Sequence, residues 1–106
     1  MPKYLVQASY TADGLKGLLK DGGSKRRAAV EQMVSALGGK VEAFYFAFGE
    51  TDVFTIIDAP DNATVAAASL VASASGAVQV RTTVLLAPEE IDQATRKSVS
   101  YQPPGA

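Results

Sequence analysis

Lys40-Val41-Glu42-Ala43-Phe44-Tyr45-Phe46-Ala47-Phe48, then Gly49-Glu50-Thr51-Asp52, then Val53-Phe54-Thr55-Ile56-Ile57-Asp58 is the stretch on which the fold turns. Two runs rich in aromatic and β-branched residues flank four residues of turn chemistry, the pattern of a β-hairpin. Both faces of the first run are apolar, so its inward side cannot be read from alternation alone.

Upstream, residues 3–10 alternate as a strand, with Tyr4, Val6, Ala8 and Tyr10 on one face and the polar Gln7 and Ser9 on the other. Thr11 is an N-cap candidate, and Leu15, Leu18 and Leu19 give the following segment a helical stripe. Gly22-Gly23 interrupts it. Ser24 reads as a fresh N-cap for a second helical run over 25–37, which Gly38-Gly39 closes. Downstream, Pro60-Asp61-Asn62 opens an alanine-rich helix to about residue 75. A strand follows over 77–86, with Val78, Val80, Thr82 and Val84 on one side and Gln79, Arg81, Thr83 and Leu85 on the other. Pro88-Glu89-Glu90 starts a short last helix.

The order β-α-β-β-α-β predicts an α+β fold: a ferredoxin-like, four-stranded antiparallel sheet with helices on one face. One such domain over residues 1–96 is expected, with a flexible tail over 97–106. The uncovered sheet face is too apolar to stay wet over four strands, so a second copy packed sheet to sheet is expected, as a homodimer or higher oligomer.

Composition narrows the chemistry. The 106 residues carry a net charge of −1, with neither cysteine nor histidine. Disulfides, thiolate chemistry, Cys- or His-ligated metals and the commonest general base are therefore out of reach. No cofactor and no metal is expected, and no basic–aromatic interleaving of nucleic-acid type appears. No apolar run approaches the roughly 20 residues of a membrane span. The start, Met1-Pro2-Lys3-Tyr4, runs straight into a strand pattern, so the cytoplasm is the expected location.

Three constellations can bear chemistry. In Gly22-Gly23-Ser24-Lys25-Arg26-Arg27, three cations follow a glycine pair at a helix start, where basic residues are disfavoured. An anion resolves that inconsistency; so does pairing with Asp21 or Glu31. Arg81, flanked by Gln79 and Thr83, faces away from the helix side and needs a carboxylate partner (Glu42 or Asp58) or a ligand if its face is covered. Gln7 lies on the corresponding face of the first strand, and Tyr45 offers a hydroxyl. Asp52 reads as a turn cap. The candidate ligand set is Arg81, Gln7, Tyr45, Gly23, Ser24 and Lys25, and no catalytic residue stands out.

The Lys3–Thr11 start, the 22–27 stretch and the run from Leu37 to Gly49 resemble the GYD domain family of small bacterial proteins. The resemblance covers about residues 3–92. It implies a ferredoxin-like fold of the dimeric α/β-barrel type and no agreed activity. The family's Gly-Tyr-Asp motif is incomplete here: Gly49 and Asp52 stand in the turn, with Thr51 where the tyrosine is expected. Three functions follow as expectations: a homo-oligomer binding a small anionic molecule in a sheet-face or inter-subunit site; an assembly module whose sheet serves only oligomerisation; and a cofactor-independent enzyme of the oxygenase or isomerase type.

Overall fold

The computed structural model describes all residues from Met1 to Ala106. The elements run β1 (Lys3–Tyr10), α1 (Ala12–Asp21), α2 (Gly23–Ala36), β2 (Lys40–Phe46), β3 (Val53–Asp58), α3 (Asn62–Ala74), β4 (Val78–Leu85) and α4 (Pro88–Thr95). The strands form one sheet in the order β2-β3-β1-β4, with every neighbouring pair antiparallel. This is the predicted α+β, ferredoxin-like arrangement. No helix is long and apolar enough to cross a membrane.

Local chemistry explains most boundaries. Thr11 caps α1 by accepting from the Gly14 N–H, and Asp61 caps α3 by accepting from the Thr64 N–H at 2.8 Å. Thr64 holds the Asp61 carboxyl below its ordinary value, through the hydroxyl first and the N–H second. The helical run from 12 to 36 is two helices. Gly22 joins them at φ +82°, a conformation that costs little only for glycine, and its N–H closes on Leu18 O. Gly22, not Ser24, is therefore the N-cap of α2, and Ser24 falls inside the helix. Strand β2 ends at Phe46, two residues short of the expected boundary, because the chain leaves the ladder to turn back over the sheet.

Helices α1, α2 and α3 pack on one sheet face. The core under them is thin: Tyr4, Val34, Ile57, Ala59 and Val65 form its cluster, and only nine residues of the chain are buried. The other face is open. It carries Leu5, Gln7 and Ser9 of β1, Phe54 and Ile56 of β3, and Thr83 and Leu85 of β4, by the register of the ladders. The accessible surface is 7507 Å², against about 5,600 Å² for a compact monomer of this mass, an excess of about 1,900 Å². The radius of gyration is 16.9 Å, where a compact domain of this length has about 13 Å.

Candidate functional site

The open face has charge at one end, polar groups at the other and an apolar band between. At the first end, Lys3 Nζ donates to Asp58 Oδ1 at 2.8 Å and to Glu42 Oε2 at 3.0 Å. A bulge between Val41 and Ala43 accompanies Glu42 in β2. Glu42 and Asp58, the expected carboxylate partners of Arg81, thus belong to Lys3, which lies beside Asp58 in the β1–β3 register. The hydrogen bonds to Asp58 and Glu42, in that order, hold the Lys3 ammonium above its ordinary value of 10.5. A group whose pKa is raised on folding contributes stability that is complete below the unfolded value and is lost as pH rises through the folded one. Thermal unfolding between ~pH 9 and ~pH 12 is therefore expected to fall more steeply for the wild type than for Lys3→Met. Parallel curves would refute this.

At the second end, Gln7 and Arg81 are direct cross-strand partners. The loop after β2 folds back over them. Ser9 Oγ donates to Glu50 O at 2.8 Å, and Asp52 Oδ2 accepts from the Tyr10 N–H at 2.8 Å. Asp52 does bond a backbone N–H, as its turn position predicts, but across the sheet on β1 rather than inside the turn. This fastening drives Thr51 down onto the face, where it is buried. Its hydroxyl accepts from Arg81 Nη2 at 2.8 Å and donates to Gln7 Oε1 at 3.2 Å. The result is a chain Arg81–Thr51–Gln7. Arg81 itself is exposed and takes part in none of the four ion pairs.

Phe54 lies opposite Gln7, and Tyr45 lies opposite Phe54. Arg81, Gln7, Phe54 and Tyr45 therefore form one row across all four strands, with neighbouring strands about 4.8 Å apart. Three of the candidate ligand residues, Arg81, Gln7 and Tyr45, share this row. Thr51 joins them; the sequence marked its position only by the missing tyrosine.

Gly23, Ser24 and Lys25 lie elsewhere, on the helix side. Gly23 lets α2 approach the sheet edge, since a Cβ there would come 3.0 Å from the Phe46 ring. Lys25 pairs with Asp21 at 3.6 Å and Arg27 with Glu31 at 3.4 Å, both along α2 or its junction. Arg26 has no such partner. It lines an apolar cavity of about 100 Å³ between α2, α3 and the sheet, in which sixteen of twenty lining residues are hydrophobic. The carboxylates of the chain are dispersed, with no three gathered at one point.

Comparison with known proteins gives one match: the family model described as GYD domain aligns with residues 4–95. No curated protein and no solved structure matches the chain.

Proposed function

This chain belongs to the GYD domain family, and on that footing we propose that it is a homo-oligomer that binds a small anionic molecule on the open sheet face, at Arg81, Thr51 and Gln7. The observation that carries this reading is the isolation of Arg81. Its guanidinium stands on a largely apolar face, held in place by a neutral hydroxyl and unmatched by any carboxylate. In water such a cation is harmless. Once a second copy covers the face, it becomes an enclosed charge, which is costly without a counter-charge. A carboxylate or phosphate oxygen pair matches the fork of donors left on Arg81. Thr51 fixes the orientation of the fork, and Phe54, two strands from Arg81, offers aromatic surface to the body of the ligand, with Tyr45 one strand further along the row.

The surface supports the oligomer. The open face carries exposed Tyr45 and Phe54 and partly exposed Leu5, Ile56 and Leu85 as apolar area to bury, and obligate homodimer interfaces run from about 2,000 to 5,000 Å² over both partners. The apolar face is continuous with the row containing Arg81, so association and ligand enclosure are one event in this reading.

Native mass spectrometry is expected to give about 22 kDa, twice the 11.0 kDa chain. In thermal unfolding, acetate, benzoate and inorganic phosphate serve as probes. At a hundredfold excess over Kd, a binding anion is expected to raise Tm by roughly 10–20 °C. Arg81→Ala abolishes the rise given by inorganic phosphate, which has no hydrocarbon body, while the dimer persists. A Tm unmoved by all three anions, or a phosphate-induced rise that survives Arg81→Ala, would defeat the proposal. A monomeric mass would remove the enclosure on which it depends.

A further inference from the structure

The helix side holds a second feature, independent of Arg81. The cavity between α2, α3 and the sheet has almost no polar capacity left. Thr55 Oγ1 donates to Ala43 O at 2.7 Å, Thr64 Oγ1 to Asp61 Oδ1 at 2.7 Å, and Ser69 and Thr82 bond each other at 3.2 Å. Water needs two to four polar partners to settle in such a space, and the lining threonine and serine hydroxyls already have protein partners. The space suits hydrocarbon. It is somewhat smaller than the ~150 Å³ engineered cavity that takes up benzene, so it holds on the order of four to six carbons.

One charge reaches this apolar space. Arg26 lines the cavity and also the neighbouring cleft between α1 and α3, as does Tyr10, so both stand where the two join. Of the three consecutive cations, Lys25 and Arg27 have carboxylate partners and Arg26 has none. Asp13 and Asp21 line the cleft, Asp21 with Lys25 beside it, but neither lines the cavity. An apolar chamber whose one charged lining residue is the partly buried Arg26, in no ion pair, is complementary to a molecule with a short hydrocarbon body and a single anionic head.

We infer that the helix-side cavity is a binding site for small amphipathic monocarboxylates, with the hydrocarbon body enclosed under α3 and the carboxylate on Arg26. The charge run at the start of α2 then has a division of labour. Its outer two cations stabilise the helix, and the middle one reads the ligand.

The chain has two methionines, and Met33 lines the cavity. Protein labelled with ¹³C at the methionine methyls therefore reports the site through one resonance, with Met1 as the internal control. Titration with hexanoate is expected to shift the Met33 signal saturably and leave Met1 in place. Hexanol, with the same body and no charge, binds about tenfold more weakly, the effect of losing one charge-assisted hydrogen bond. Arg26→Gln brings hexanoate down to the hexanol level. Ala68→Leu fills the chamber, raises Tm in the absence of probe and eliminates both shifts; Ala72→Val does the same if the larger residue disturbs folding. Arg81→Ala leaves the Met33 titration unchanged, which separates this site from the open face. The inference is overturned by a Met33 signal indifferent to hexanoate, by hexanol binding as tightly as hexanoate, or by affinity retained in the filled variants.

Discussion

Gly14→Ala is expected to destabilise the protein by about 3 kcal/mol, the upper range for overpacking a close contact. Gly14 lies in the first turn of α1, where helix propensity alone favours alanine. The tertiary contact reverses that preference. A Cβ at Gly14 would overlap the carbonyl oxygen of Ala77 and press against the Tyr10 ring. Ala77 O cannot withdraw cheaply, because it accepts from the Thr11 N–H at 3.0 Å and from Thr11 Oγ1 at 3.2 Å. One carbonyl thus fastens the β1–α1 junction to the entry of β4, and the absent side chain at Gly14 makes room for it. Gly17→Ala is the control, since nothing lies within 4 Å of a Cβ there; it is expected to be neutral or stabilising by up to about 1 kcal/mol. Urea unfolding of the two variants checks this. Equal midpoints would mean that the close approach has no energetic consequence.

Tyr4→Ala is expected to remove about 3–5 kcal/mol, the usual cost of deleting a buried aromatic ring. Tyr4 is 1% exposed and is the largest fully buried side chain. Its ring packs with Val34, Ile57, Ala59 and Val65, joining β1 to β3, α2 and α3. Its hydroxyl donates to Asn62 Oδ1 at 2.6 Å, so the same residue fastens the first turn of α3. Typical domains have only 5–15 kcal/mol in hand, and a core with so few buried residues has little to compensate. Tyr4→Ala is therefore expected to leave the chain largely unfolded at 37 °C by circular dichroism. Tyr4→Phe separates the ring from the hydroxyl and is expected to cost about 1 kcal/mol. A Phe variant as unstable as the Ala variant would shift the weight from packing to the hydrogen bond.

Both variants act on folding rather than on ligand recognition. Gly14 lines the cleft beside the helix-side cavity, and Tyr4 lies on the sheet face away from Arg81. Loss of anion-dependent stabilisation in Arg81→Ala without loss of basal stability would separate recognition from folding. The Lys3 cluster supplies a further contrast. It is exposed at the opposite end of the face, and its contribution follows pH rather than ligand.

Much of the fold was legible in the sequence because its signals are local. Alternation in residues 3–10 and 77–86, the turn chemistry at 49–52 and the glycine pairs at 22–23 and 38–39 each act within a few residues. Together they determined element type, order and the antiparallel sheet. Alternation also placed Gln7 and Arg81 on corresponding faces of their strands, while their direct pairing came from the β1–β4 register. Where local reading failed, a backbone conformation or a longer-range contact had intervened. Ser24 has the right chemistry for a cap, but Gly22 alone tolerates the left-handed backbone at the break between α1 and α2. Glu42 and Asp58 have the right charge for Arg81, but the strand order sets them beside Lys3.

The hairpin from Lys40 to Asp58 shows the division most clearly. By itself the sequence determined that two strands meet at Gly49–Asp52, with Asp52 expected to cap that turn; the structure gives its carboxylate to the Tyr10 N–H on β1 instead. Only the tertiary structure decided that the turn folds over the sheet and brings Thr51 to Gln7, 44 residues away, and to Arg81, 30 residues away. It alone sorted three adjacent cations into two with carboxylates and one at an apolar cavity. The physical reason is the range of the interactions. Strand and helix periods are written in neighbouring residues, whereas a hydroxyl or a guanidinium takes its role from whichever distant group the packed sheet sets within about 3 Å of it.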